Sequence, residues 1–147
     1  MALYLIKRCL RIAQSGGYVL DFFAGSGTTA HAVLELNQED SGNRHFIICT
    51  NNEVSEKRQI AYFVEKGYIE VPPRKGTKKE PKWKAKWAAF KSTAEYQSLG
   101  ICHSVTYPRV STVITGVRAD GTQYSDGLPA NLKYFKCDWT PRKPEEY

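Results

Sequence analysis

The stretch that most narrows the folds open to this chain is Val19-Leu20-Asp21-Phe22-Phe23-Ala24-Gly25-Ser26-Gly27-Thr28-Thr29-Ala30. An apolar run ends in an acid and breaks into a Gly-Ser-Gly-Thr-Thr turn, which reads as strand, tight turn and helix. Gly25 and Gly27 permit positive φ and let a ligand approach the backbone, while the N–H groups opening the next helix point at whatever is bound there. Such a turn cradles a nucleotide-like or anionic ligand.

The flanks extend this turn into an α/β unit. Leu3, Leu5, Ile6, Cys9, Leu10, Ile12 and Ala13 fall near helical spacing, with Lys7, Arg8 and Arg11 between them, so an amphipathic helix comes first and stops at Gly16-Gly17. Tyr18 to Phe23 is apolar on both faces, as in a strand buried inside a parallel sheet. Thr28 to Leu36 is the following helix, 37–43 a polar loop, and His45 to Thr50 a second buried strand. A strand, crossover helix and strand of this length pair in parallel. A third helix runs from the cap Ser55 to Lys66-Gly67, and Tyr68 to Val71 is a short extended piece.

The second half is less regular. Trp87 to Leu99 reads as a helix punctuated by Gly100. Val110, Val113, Ile114 and Val117 repeat at i, i+3, i+4 and i+7, with Pro108 in the first turn and Gly116 near the end. Leu132 to Trp139 reads as a last strand. These elements divide the 147 residues into a cofactor-binding βαβ unit (1–71), a basic linker or insertion (72–91), and a helix with a C-terminal strand (92–147).

Charge is concentrated rather than spread. Between Pro72 and Lys91 there are eight basic residues and one acid, Glu80, a local +7 in a chain whose total is +6. Lys78, Lys79, Lys82, Lys84 and Lys86, interleaved with Trp83, suit contact with a phosphate backbone and stacking on bases; the plainer alternative is a solvated linker. No apolar run approaches the roughly 18 residues that span a bilayer, and the first residues lack the order of a signal peptide, so a cytoplasmic chain without a membrane is expected. Cys9, Cys49, Cys102 and Cys137 have no Cys-x-x-Cys pairing, and only His103 adjoins one. Ordinary reduced thiols and no metal follow. His31 and His45 read as surface or hydrogen-bonded side chains rather than as a catalytic base.

Several ligands compete for the glycine turn. A nucleoside-triphosphatase loop requires Gly-Lys-Ser/Thr, and here Thr28 follows Gly27, which closes that option. A dinucleotide site places an acid about 20 residues beyond the glycines; Glu53, leaving the second strand at its ligand-binding end, is 26 residues past Gly27. Asp21 tips the balance, because a carboxylate beside a pyrophosphate repels it but welcomes an ammonium group. S-adenosylmethionine carries an α-ammonium, a sulfonium and a ribose, and two acids suit it. A turn with no ligand is the remaining alternative.

Asp21-Phe22-Phe23-Ala24-Gly25-Ser26-Gly27-Thr28-Thr29 resembles the cofactor motif of the β-group amino DNA methyltransferases. Leu5 to Leu10, Thr50 to Glu53 and Asn131 to Asp138 extend the similarity to the modification subunits of type III restriction-modification systems and related adenine-specific methylases. The resemblance implies a Rossmann-like S-adenosylmethionine-dependent fold, with a parallel βαβ core and additional helices. It implies that Asp21, Phe23, Gly25 and Gly27, with Ala24 and Ser26 between them, line the methionine end of the cofactor. Thr28 and Thr29 would open the helix beneath it, and Glu53 would hold the ribose hydroxyls. It also implies adenine-N6 methylation of DNA and partnership with a restriction subunit.

The departures carry as much information. The family's catalytic tetrapeptide, Asp or Asn followed by Pro-Pro and Tyr or Phe, precedes the glycine motif, yet only twenty residues precede Asp21. The one Pro-Pro, Pro72-Pro73, lies between Val71 and Arg74. A piece of a methyltransferase is therefore expected, truncated, inactive alone and with strand edges open to self-association. The alternatives are a dinucleotide-binding oxidoreductase fragment and a non-enzymatic basic module that binds nucleic acid.

Overall fold

The computed structural model describes residues 2–13, 15–66 and 73–137, with only the backbone of Phe63. The elements in chain order are α1 (Ala2–Ile12), β1 (Gly16–Asp21), α2 (Thr28–Asp40), β2 (Asn43–Ile48), α3 (Glu56–Glu65), α4 (Glu80–Lys91), α5 (Ala94–Ser98), a π-helical turn (Cys102–Thr106) and α6 (Tyr107–Thr115). The expected α/β class and parallel βαβ unit are present. β1 and β2 pair in parallel, from Gly16 opposite Asn43 to Asp21 opposite Ile48, with α2 as the crossover.

α2 is the centre of the molecule. Ala30, His31, Ala32, Val33, Leu34 and Leu36 are all buried, so the helix is covered on most of its circumference, as in a helix surrounded by other elements rather than laid on a surface. Ala30 and Leu34 pack with Val110 and Val113 of α6, and Phe46, Ile48, Ile114, Leu128 and Leu132 close around them. α1 docks on another side through ions: Lys7 reaches Glu35 at 2.8 Å and also pairs with Glu39, which accepts from Arg11 at 2.6 Å. Burial works against the charge of Lys7, but its bonds to the two carboxylates hold its pKa above the usual lysine value.

The structure corrects several expectations. The helix after the glycine turn extends four residues past Leu36, to Asp40, into the stretch expected to be loop. Asn37 explains the extension, since its side chain brackets the backbone of Arg44 in both directions, at 2.8 and 3.0 Å, while Asp40 grips the buried Arg44 guanidinium at 2.8 and 3.0 Å. The strands are not buried on both faces. Val19 and Asp21 turn towards α2, but Tyr18 is 76% and Leu20 51% exposed, since α2 covers one face of a two-stranded sheet and nothing described covers the other. The outer edge of β1 has no strand partner among the described residues, as expected of an open sheet edge.

Beyond Lys66, the expected extended piece at Tyr68 to Val71 lies outside the described residues. The basic segment is not a linker throughout: from Glu80 it is α4, started by an acid and by Pro81, which suits a first helical turn. The single helix expected over 87–99 is instead α4 and α5, broken where Thr93 leaves helical geometry and caps α5 by accepting from the Tyr96 N–H at 3.2 Å. The helix expected around Val110 is present but stops at Thr115, because Gly116 takes the left-handed φ of 76° that glycine supplies, so Val117 falls outside it and pairs with Gln123 in an antiparallel bridge. The expected final strand does not form over 132–137, and its last two residues lie outside the description. Leu132 is drawn into the α2–α6 core and Tyr134 onto the rings of His103 and Tyr107, so side-chain packing rather than strand pairing orders this stretch.

Candidate cofactor site

The glycine turn is built by hydrogen bonds that leave one side open. At the C-terminal end of β1, Asp21 Oδ1 accepts from the Phe23 N–H at 2.9 Å and Oδ2 from the Thr29 hydroxyl at 2.6 Å, tying the strand end to the start of α2. The Ala24 N–H donates to the Cys49 carbonyl at 3.0 Å and the Gly27 N–H to the Ala24 carbonyl at 2.7 Å. Gly25 and Gly27 adopt φ of 49° and 76°, both in the region that disfavours a side chain. Space differs between them. A Cβ on Gly25 would have only the Phe23 carbonyl nearby, at 3.8 Å, whereas one on Gly27 would press on Thr106 and Val110 at 3.2 Å. Gly25 therefore faces open space and Gly27 faces protein.

The open side is a cleft of about 590 Å³ between the turn and the loop after β2. Phe22, Phe23 and Gly25 line it from the turn, Thr50, Asn51 and Glu53 from the loop after β2, and Leu99, Ile101 and Val105 are among the apolar residues contributed by the second half of the chain. Phe23 is 93% and Phe22 62% exposed, so the turn presents two neighbouring aromatic side chains to solvent. The Glu53 carboxylate is exposed, and Asn51 Nδ2 donates to it at 3.3 Å.

The structure distributes the residues singled out from the sequence over three places. Phe23, Gly25 and Glu53 line the cleft. Asp21, Thr29, Ala24 and Gly27 hold the turn in shape, Ala24 and Gly27 being buried. Ser26 and Thr28 pair with each other at 3.0 Å and receive the Arg109 guanidinium, at 3.1 and 2.9 Å. Lys78, Lys79, Lys82, Trp83, Lys84 and Lys86 stand apart, on α4 and the turn before it.

Sequence reasoning missed the groups that brace the site from the second half of the chain. The Thr106 hydroxyl donates to the Gly25 carbonyl at 2.5 Å. The Ile101 N–H donates to the Glu53 carbonyl at 2.9 Å, and Arg58 holds the Leu99 carbonyl at 3.1 Å. Asn52 is the hub: its Nδ2 donates to the Gln97 carbonyl at 2.6 Å and its Oδ1 accepts from the Cys102 N–H at 3.1 Å. A π-type bond from the Tyr107 N–H to the Cys102 carbonyl shapes the turn that delivers Thr106, just ahead of Pro108, which has no N–H to give. The one local signal is Asn52 itself, a hydrogen-bonding side chain directly before Glu53.

Arg109 also reaches His31, at 3.4 Å from Nε to Nδ1, and His31 Nε2 lies 3.0 Å from Glu35. Burial holds the His31 imidazole below its usual pKa; Glu35 partly offsets this and Arg109 adds to it. His31 is thus the hydrogen-bonded histidine expected, buried rather than at the surface. Among the described residues there is no cluster fit to hold a metal ion, and no helix is long and apolar enough to cross a membrane. The four cysteines are unpaired thiols.

Residues 1–63, which contain the glycine turn and Glu53, match the model of the DNA methylase family. That match takes in less than half of the 147 residues. The chain is 53% identical over 58 residues to the type III restriction-modification enzyme StyLTI Mod subunit of Salmonella typhimurium. It is 61% identical over 44 residues to the EcoPI Mod subunit of Escherichia phage P1, and 49% over 59 residues to the type II methyltransferase M.KpnI of Klebsiella pneumoniae. These alignments take in 39%, 30% and 40% of this chain, but only 9%, 7% and 14% of the relatives. The resemblance to methylases and to type III modification subunits is borne out over this segment, and the oxidoreductase reading is set aside. The braces from Gln97, Cys102, Thr106 and Arg109 lie beyond the residues matched to the family model.

Proposed function

We propose that the chain binds S-adenosylmethionine in the cleft between the glycine turn and Glu53, as part of a site-specific adenine-N6 DNA methyltransferase of a restriction-modification system. The observation that carries this reading is the pairing of an open glycine, Gly25, with an exposed carboxylate, Glu53, across a cleft with apolar walls.

The donor set fits the group. Glu53 takes one side-chain bond, from Asn51 Nδ2, and retains acceptor capacity for two ribose hydroxyls. Phe22, Phe23, Leu99, Ile101 and Val105 offer apolar surface to an adenine ring or a thioether chain. Gly25 admits the methionine end against bare backbone. Asp21 acts through the turn: both oxygens have donors within the chain, so it fixes Phe23 and Thr29 and places its negative charge behind the glycines. When bound, S-adenosylmethionine supplies an electrophilic methyl group on sulfonium sulfur.

Transfer to an adenine amine also needs a group that holds the flipped base in line with that methyl. The tetrapeptide that serves this purpose in the resembling family is not in these 147 residues, so the chain alone binds donor without turnover. Duplex DNA in the cytoplasm and a restriction subunit are the partners that follow from the reading. Calorimetric titration of the chain with S-adenosylmethionine and with NAD tests it, alongside a radiolabelled methyl assay on duplex DNA. Saturable binding of the first alone, weakened by Asp21→Ala and without methyl incorporation, is expected. NAD binding more tightly, or turnover by the isolated chain, contradicts it.

A further inference from the structure

The basic run is not absorbed by the cofactor site and lies beyond the segment matched to the methylase family. Its structure separates two roles that the sequence mixes. In α4 the aromatic residues Trp83, Trp87 and Phe90 share one stripe at i, i+4 and i+7. Phe90 anchors that stripe on the protein, stacked on Tyr62 of α3 at 5.5 Å and edge-on to Tyr96 of α5 at 5.3 Å. Trp87 lies 6.4 Å from Phe90, and Trp83 stacks on Trp87 at 5.3 Å. The rings are thus struts that hold the helix, engaged with one another rather than presented as a platform for bases.

The lysines flank this stripe and differ in how far their charge is met. Glu80, the one acid of the segment, pairs with Lys84 at 2.7 Å and accepts from the Gly76 N–H at 2.6 Å; these bonds hold its carboxyl below the usual range, so it stays ionised. Lys91 lies over the Trp87 ring at 5.2 Å. Lys78, Lys79 and Lys82 are exposed at the start of the helix and in the turn before it. Three exposed cations within five residues, two in the turn and one in the first helical turn, form a compact positive patch of the kind that meets a charged backbone.

We propose that Lys78, Lys79 and Lys82, held by the aromatic stripe of α4, contact the phosphate backbone of duplex DNA. Charge complementarity calls for a polyanion, and the methylase function proposed above, on which this reading rests, makes that polyanion duplex DNA. The interaction is with phosphates and carries no sequence preference.

The test uses the whole chain and a fluorescent random-sequence duplex, with binding followed by anisotropy between about 50 and 200 mM salt. The triple variant Lys78→Gln/Lys79→Gln/Lys82→Gln is expected to bind more weakly, with a salt dependence shallower by about 0.9 in log–log slope for each phosphate no longer neutralised. Its tryptophan emission and its affinity for S-adenosylmethionine are expected to match the wild type. If the triple variant does not fold, the three single variants carry the same prediction one lysine at a time. An unchanged slope in a folded variant overturns the proposal, as does tighter binding by the wild type to single-stranded RNA of equal length. Lysine-dependent duplex binding without S-adenosylmethionine binding leaves this surface standing and removes the cofactor reading; the converse result removes only the surface.

Discussion

Gly100→Ala is expected to detach the second half of the chain from the cofactor cleft, and its effect can be worked from the distances around Asn52. A Cβ at this position would overlap the whole Asn52 amide, with even Nδ2 only 2.5 Å away, where ordinary van der Waals approach begins near 3.4 Å. Asn52 must leave, giving up its bond to the Gln97 carbonyl at 2.6 Å and the bond it accepts from the Cys102 N–H at 3.1 Å. Two such bonds are worth about 1–3 kcal/mol in total. The smaller backbone freedom that alanine loses on folding, about 0.4–1 kcal/mol, works the other way. A net loss of about 1–2 kcal/mol in urea unfolding followed by circular dichroism is therefore expected. Weaker S-adenosylmethionine binding should accompany it, because Leu99, Ile101 and Val105 line the cleft. The decisive comparison is a double-mutant cycle: in an Asn52→Ala background the clash is gone, and Gly100→Ala should become neutral or stabilising. An equal loss in both backgrounds would refute the reasoning, since the damage would then lie elsewhere.

Two further outcomes follow. Arg109→Lys keeps a charge but loses the fork that reaches both Ser26 and Thr28, so S-adenosylmethionine affinity is expected to fall roughly tenfold, about 1.4 kcal/mol, by calorimetry. Arg109→Gln should in addition raise the His31 pKa read by NMR, because the guanidinium is one of the groups lowering it. His31 itself gives a pH signature. Its folded pKa lies below the ordinary histidine value of 6.5, so its contribution is fully present above that value and is lost as pH falls through the folded pKa, where the unfolded chain takes up a proton first. Urea midpoints should drop from about pH 7.5 to about pH 5.5 in the wild type and drop less in His31→Gln. Equal drops would remove His31 from the account.

The βαβ unit is legible because its signals are local: apolar runs and two glycines at a turn lie within a few residues of the structure they specify, whereas Ser55 begins α3 without its side chain capping it. What escapes the sequence depends on distance along the chain. Tyr18 to Phe23 has a composition that suits burial on both faces, but whether a face is covered depends on what packs there. Leu132 to Cys137 carries strand-like residues and forms no strand, since Leu132 is taken by the α2–α6 core and Tyr134 by His103 and Tyr107. At the site, the acids and glycines are visible, while the Thr106 hydroxyl on Gly25 and the Arg109 fork on Ser26 and Thr28 join residues 81 to 83 positions apart, which no local pattern encodes. The basic segment shows its charge in the sequence but not its division of labour, because only packing separates rings used as struts from lysines left at the surface.

The central claim, that S-adenosylmethionine sits between Gly25 and Glu53, is tested most directly by titrating it calorimetrically into the wild type and into Glu53→Ala. The substitution spares the Glu53 carbonyl that accepts from Ile101 at 2.9 Å, so the loop keeps its brace and only the carboxylate is removed. Loss of a charge-assisted bond to the ribose, about 1.5–3 kcal/mol, predicts one saturable site in the wild type and affinity weaker by roughly ten- to a hundredfold in the variant. Equal affinity in the two proteins, or no binding by a folded wild-type chain, would contradict the account.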